Sequence, residues 1–294
     1  MMVLLLTGLF VFTWSSGFVV AKVIVPYADP TLFLFVRVCI SAVIFGVVAL
    51  RADVRWPSWR EVPKHLLAGM LLQGLYLSAT YWAVADGLPP AVMALLGSLQ
   101  PLLTAVLAIP ILKEIPTRRI WLGLALGVVG VFCVIQPALG AVGDASFTIG
   151  AIMTGLLAVL SITFGTILQK TSIAAVDIRV SSVLQNIGTV LFTGLFVWIR
   201  GEHRWVWSPQ LWASLLWASV VLTCIGTVLL LWIIRRGQVA KAASLMFLAP
   251  PLAAVEAYVL FGDKLGLVQL AGFALALIGV ATCNMRRPLR PSVD

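Results

Sequence analysis

In the third of a series of long apolar runs, Gln73, Tyr76, Thr80 and Tyr81 recur at spacings of three to five residues. On a helix these spacings make one stripe, with Gln73, Tyr76 and Thr80 best aligned. Amides, phenols and hydroxyls offer hydrogen bonds, and presenting them to lipid is costly. The stripe must face protein or water, and a cavity gives it both.

Other runs carry the same kind of chemistry. The first contains TWSSGFVVAK, Thr13 to Lys22, with Trp14 and Ser15 near its middle. Ser16 and Gly17 suit close helix packing and back-bonding to the preceding turn. A Trp at that depth departs from the usual interfacial position, and its N–H needs a partner that a wet cavity supplies. The fourth run holds Ser98, Gln100 and Pro101, and the ninth holds Ser244, Pro250 and Pro251. Proline donates no hydrogen bond, so the carbonyls of Gly97, Met246 and Phe247 are expected to be freed. Freed acceptors suit a bound ammonium group; a kink filled by a neighbouring Ser or water is the competing reading. Ser161, Thr163, Thr223, Thr227 and Trp232 add polar groups to the sixth and eighth runs, where small hydroxyls also serve as helix glue. Gln185 and Asn186 stand out in the seventh.

Three charges fall within or at the edge of apolar runs: Lys22, Arg37 and Glu256. Arg37 and Glu256 each sit about 10 Å inside their runs at 1.5 Å per residue. Pairing of Glu256 with Arg37 or Lys22 is expected, because pairing offsets the cost of burial. Such a pair could latch the structure, hold a zwitterion's charged groups or relay protons, and Arg37 could instead snorkel to the interface.

Catalysis is not indicated. No HExxH, phosphate-cradling loop or nucleophile elbow is present, and no catalytic residue, metal ligand set or cofactor is expected. His65 and His203 read as isolated loop residues. Cys39, Cys133, Cys224 and Cys283 lie in apolar segments without paired spacing, as free thiols.

The elements that must position these residues follow from composition. The chain has 294 residues, 61% hydrophobic and 11% charged, and a mean hydropathy of +1.08. Soluble domains carry about 25% charged residues. Runs of some 20 apolar residues, enough for a bilayer core of roughly 30 Å, recur throughout. Breaks at charged, Pro and Gly clusters give ten spans: about 3–24, 30–50, 65–86, 89–112, 119–137, 148–169, 179–199, 210–234, 239–262 and 265–285. The expected fold is an all-α integral membrane protein. The first span reads as retained, not as a cleaved leader.

Fifteen Lys and Arg residues fall on one side of this topology and three on the other. That bias puts both termini in the cytoplasm. It also explains the net charge of +9 without nucleic acid as a partner.

The chain is written twice. A shift of 149 positions brings Pro101 onto Pro250, Ala94 onto Ala243, Gly123 onto Gly272 and Gly130 onto Gly279. A shift of 148 brings Gly17 onto Gly165 and Lys22 onto Lys170. Residues 1–141 and 142–294 are the expected halves. Five spans per half is odd, so the halves cross in opposite senses, as in many secondary transporters.

WSSGFVVAK, DPTLFLFVR and ALLGSLQPLLTAVLAIPILKE, with the weaker AASLMFLAPPLAAVEAYVLFGD, resemble the EamA family of the drug/metabolite transporter superfamily. Within it the aromatic content is most similar to the YddG-type amino-acid exporters. The resemblance implies a 5+5 inverted repeat forming a basket around a central cavity. It also implies export of small organic solutes, most of all amino acids, across a bacterial-type inner membrane by alternating access. Trp14, Ser15, Gln73, Tyr76, Thr80, Tyr81, Ser98, Gln100, Ser161, Thr163, Thr227, Trp232 and Ser244 are the expected solute-binding residues. Carriers of other metabolites, drugs or sugar-type solutes are the alternative. A membrane-embedded enzyme fits less well, because intramembrane carboxylates and histidines are sparse. The expected partners are the solute and the bilayer. Gly123/Gly127 and Gly272/Ala276 make small-residue faces for packing helices five and ten together, in a monomer or across a homodimer.

Overall fold

The structure, a computed structural model, describes residues 2–51, 54–100, 103, 107, 118–140, 148–172, 176–226, 229, 249–262 and 266–284. Its regular elements are helical. In chain order they are α1 (Met2–Val23), α2 (Pro30–Leu50), α3 (Val62–Gly69), a π-helical segment (Met70–Leu75) and α4 (Tyr76–Ala85). Then come α5 (Pro90–Ser98), α6 (Arg118–Gly140), α7 (Ile149–Ser172), α8 (Ile178–Arg200) and α9 (Pro209–Leu216). A second π segment (Trp217–Ile225), α10 (Ala249–Phe261) and α11 (Leu267–Asn284) complete the set. Among the described residues, Pro30–Leu50, Ile149–Gln169 and Arg179–Arg200 are long and apolar enough to cross a membrane by length and composition.

Local chemistry sets the boundaries. Pro30 and Pro209 open their helices, where the missing N–H is one that the helix would leave unpaired anyway. Ser208 accepts from the N–H of Leu211 at 3.1 Å, and Asp177 accepts from that of Arg179 at 2.9 Å. Gly201 closes α8 with φ of +63°, in the left-handed region that favours glycine.

The first π segment runs directly from α3 into α4 and the second follows directly on α9, so 62–85 and 209–226 are continuous rods. A π turn leaves a carbonyl without its usual i+4 partner, and neighbours supply the missing donors. Ser161 donates to the Leu71 carbonyl at 2.8 Å, and Thr189 donates to that of Gly69 at 2.9 Å. The first π segment packs on α7 and α8, and the second packs on α1 and α2. Shifted by 149 positions, Met70–Leu75 falls on 219–224, inside the second π segment.

Helices α6 and α11 pack on each other through the small-residue faces seen in the sequence. A Cβ added at Gly130 would stand 2.5 Å from the Gly272 carbonyl oxygen, and one at Gly279 would stand 2.6 Å from that of Gly123. Those faces are therefore taken up within the chain.

A polar clasp joins the α1–α2 turn to the α8–α9 loop. Ala28 and Trp205 form an isolated β-bridge, with Val206 N donating to Tyr27 O at 2.7 Å and Asp29 N to Arg204 O at 3.0 Å. The two loops exchange carboxylates. Asp29 accepts from the backbone N–H groups of His203 and Arg204 at 3.0 and 2.9 Å and pairs with the Arg204 guanidinium at 3.2 Å. Glu202 in turn accepts from Leu32 N at 2.9 Å and Thr31 Oγ1 at 2.8 Å, satisfying the first turn of α2. Burial alone would raise the Asp29 carboxyl. The N–H of Arg204, its guanidinium and the N–H of His203 outweigh that and hold it below the ordinary 3.8. Trp205 stacks on Phe33, and Phe33 on Tyr81, with ring centroids 6.5 and 6.0 Å apart.

Candidate functional site

A cavity of about 540 Å³ lies between α1, α2, the rod 62–85, α7, α8 and the second π segment. Its size is that of a pocket for one small molecule. The rod supplies Gln73, Tyr76, Thr80 and Tyr81 to the wall, so the stripe read from the sequence does share one face. From α1 come Trp14 and Gly17 between Phe10, Thr13 and Phe18. Trp14 is 37% exposed and leans against Phe10 at 5.9 Å. Gln100 also reaches the wall and donates to Thr166 Oγ1 at 3.0 Å.

Several expected site residues are held elsewhere. Ser15 is fully buried and donates to Glu256 Oε1 at 2.6 Å and to the Phe12 carbonyl at 2.9 Å. Ser98 donates to the Leu95 carbonyl at 2.6 Å and Thr163 to that of Val159 at 2.7 Å, while Ser161 tends the first π segment. None of these four reaches the cavity wall. Ser16 back-bonds to Thr13 O at 2.8 Å and accepts from Trp217 Nε1 at 2.9 Å, a packing role. Pro250 and Pro251 lie in the first turn of α10 as described. Pro101, Thr227, Trp232, Ser244, Met246 and Phe247 lie outside the described residues. On the described side of Pro101, α5 ends at Ser98, and Leu99 N turns to Leu96 O at 3.0 Å.

The expected pairing of Glu256 with Arg37 or Lys22 does not form. Glu256 takes its hydrogen bond from Ser15, and its Oε2 has no partner among the described residues. Lys22 Nζ lies over the Phe261 ring, 4.5 Å from its centroid. Arg37 turns to the cavity instead and is only 7% exposed. Its Nη1 donates to Tyr81 Oη at 3.4 Å and its Nη2 to Thr223 Oγ1 at 3.2 Å. The chain geometry explains this: α2 packs on α8, α4 and the second π segment, whereas Glu256 projects from α10, which packs on α1 and α5. His65, expected in a loop, is buried in α3 with Nδ1 3.1 Å from Ser181 Oγ.

The wall also contains residues outside the expected set. Thr166 and Gln169 come from α7, and Ser182, Gln185 and Asn186 from α8. The signal was present: Ser182, Gln185 and Asn186 repeat at i, i+3 and i+4. In α7 the expected Ser161 and Thr163 flank Ile162, which is the residue on the cavity side. One residue turns a helix by about 100°, so that small displacement selects a different face.

Arg37 is the one charged residue among the described residues that line the cavity, and the rest of the described wall is aromatic, aliphatic, amide and hydroxyl. An unpaired guanidinium at membrane depth costs about 3 kcal/mol on insertion scales. A site that keeps one is equipped to bind and orient a solute.

The EamA-like transporter family matches residues 1–136 and 149–285. The chain belongs to this family. EamA proteins are membrane-embedded transporters, and Pro30–Leu50, Ile149–Gln169 and Arg179–Arg200 are long and apolar enough to be spans. The chain is 25% identical over 289 residues to the uncharacterized transporter YvbV of Bacillus subtilis, covering 96% of this chain and 91% of that one. It is also 25% identical over 277 residues to a probable terminal-alkyne amino-acid exporter of Streptantibioticus cattleyicolor, covering 94% and 91%. A solved crystal structure matches with a TM-score of 0.63 at 17% identity over 95% of this chain and 96% of its own, a likeness of fold.

Proposed function

We propose that this EamA protein is a secondary transporter that exports amino acids with aromatic or other apolar side chains by alternating access. The carrying observation is the 540 Å³ cavity with aromatic walls, a polar stripe and, among the described residues, a single cation. Aromatic faces suit an apolar side chain, and the amides and hydroxyls suit its polar end. The exporter from Streptantibioticus cattleyicolor, similar along nearly its whole length, supports the same substrate class.

The two halves, 1–141 and 142–294, are read as an inverted repeat of five helices each. Matched π segments 149 positions apart support this, as do two consecutive family matches. So does the packing: exchanging each helix for its counterpart turns the first π segment on α7 and α8 into the second on α1 and α2. Related halves can exchange conformations and open the cavity to each side in turn. The excess of basic residues orients both termini to the cytoplasm, which puts the clasp on the outer face of the inner membrane. With α6 and α11 packed together inside the chain, the monomer is the proposed working unit.

Proteoliposomes preloaded with unlabelled Phe, Met or Thr are expected to accumulate the labelled amino acid by counterflow. Absence of counterflow for every amino acid, in vesicles that hold folded protein, would remove the assignment. Repeating the assay with a pH gradient tests for proton coupling.

A further inference from the structure

We infer that Arg37 is the anchor for a substrate carboxylate, so that the cavity selects solutes by their acid group and not by their amine. The inference deepens the amino-acid reading and rests on it for the choice of probes.

A guanidinium carries five N–H donors in a planar fork. In Arg37 one goes to Tyr81 Oη and one to Thr223 Oγ1, and Nε has no acceptor among the described residues. The side chain takes part in no ion pair among the described residues, and none of those lining the cavity is an acid. A structural arginine in the same layer would satisfy itself on a carboxylate, and Glu256 is bound to Ser15 instead. The two hydroxyls fix the fork without neutralising it. Tyr81 accepts from Arg37 through its oxygen and keeps its own proton for a further acceptor.

A carboxylate matches this geometry because its two oxygens receive a guanidinium fork in parallel. One arginine balances one negative charge, so a monocarboxylate fits better than a doubly charged phosphate. Among the described residues that line the cavity, the ammonium of a zwitterion would meet neutral oxygens and aromatic faces, such as Gln73, Asn186 and Trp14. Its contribution should therefore be smaller.

The test uses the purified full chain and three probes of one shape: phenylalanine, 3-phenylpropionate and 2-phenylethylamine. Binding is read from the ligand-dependent rise in unfolding temperature, with amino-acid counterflow measured in parallel. The wild type is expected to bind phenylalanine and the acid and to bind the amine at least about tenfold more weakly. Arg37→Gln should weaken the acid and phenylalanine by more than about tenfold and leave the amine unchanged, while Arg37→Lys should fall between. If Arg37→Gln does not yield folded protein, Tyr81→Phe should weaken the acid about threefold. An amine bound as tightly as the acid, acid binding within twofold of wild type in Arg37→Gln, or no binding of any probe overturns the inference. Acid binding that depends on Arg37 in a protein showing no amino-acid counterflow upholds the anchor and sinks the amino-acid export reading. Counterflow that ignores Arg37 does the reverse.

Discussion

The clasp and the cavity are both rich in polar groups, and they treat them in opposite ways. In the clasp the charged groups answer one another: Asp29 takes three donors from the facing loop and Glu202 takes donors from the head of α2. In the cavity wall, Arg37 Nε, Thr13 Oγ1, Thr80 Oγ1 and Asn186 Oδ1 are buried without partners among the described residues. Buried polar groups are ordinarily paired, so a concentration of orphans around one void marks a place completed by something else. Four of the eight such orphans among the described residues gather on this one void, and the other four are scattered over His65, Ser78, Ser219 and Glu256.

The comparison breaks most easily at Glu202, whose side chain is 7% exposed. Replacing Glu202 with Ala strands Leu32 N and removes two further bonds, and it should cost about 3 kcal/mol in a denaturant titration of the detergent-purified protein. A cost below about 1 kcal/mol would mean that water replaces the carboxylate and the clasp is loose. Asp29→Asn should cost about 1–2 kcal/mol. It carries a pH signature as well: a depressed carboxyl contributes stability above its unfolded value near 3.8, and that contribution is lost as pH falls through its folded value. Unfolding midpoints of wild type and variant should therefore converge below about pH 4. Ser161→Ala leaves the Leu71 carbonyl of the first π segment unanswered and should cost about 1 kcal/mol without weakening solute binding more than about twofold. Thr80→Val comes last. It removes an orphaned hydroxyl at constant shape and should leave stability unchanged or raise it by up to about 1 kcal/mol. A loss there would show that the cavity wall is as satisfied as the clasp.

Much of this was legible in the sequence. Apolar run length carries no long-range information, yet it gave the helical membrane class and the three described helices long and apolar enough to cross, Pro30–Leu50, Ile149–Gln169 and Arg179–Arg200. The Gln73, Tyr76, Thr80 and Tyr81 stripe was legible because helical period alone puts these residues on one face. The Gly123, Gly127, Gly272 and Ala276 faces were legible as close-packing surfaces. What stayed hidden depends on rotation and partners. Ser161 and Thr163 flank the cavity side of α7, and no periodicity tells which of three adjacent residues points inward when all are small or apolar. Arg37, Lys22 and Glu256 share a depth, but depth does not say which helices adjoin, so the ion pair inferred from it was misplaced. The π segments carry no composition signal and emerge only from the backbone.

The stack of Trp205, Phe33 and Tyr81 ends on the Arg37 guanidinium. Loop and charge are thus linked like beads on a rod, across a layer with little room to slip. Prising the α8–α9 loop away from α2 would loosen Phe33, free the phenol to swing and alter how tightly the cation can hold an anion. Unsealing that end of the protein and relaxing its grip would then be one motion.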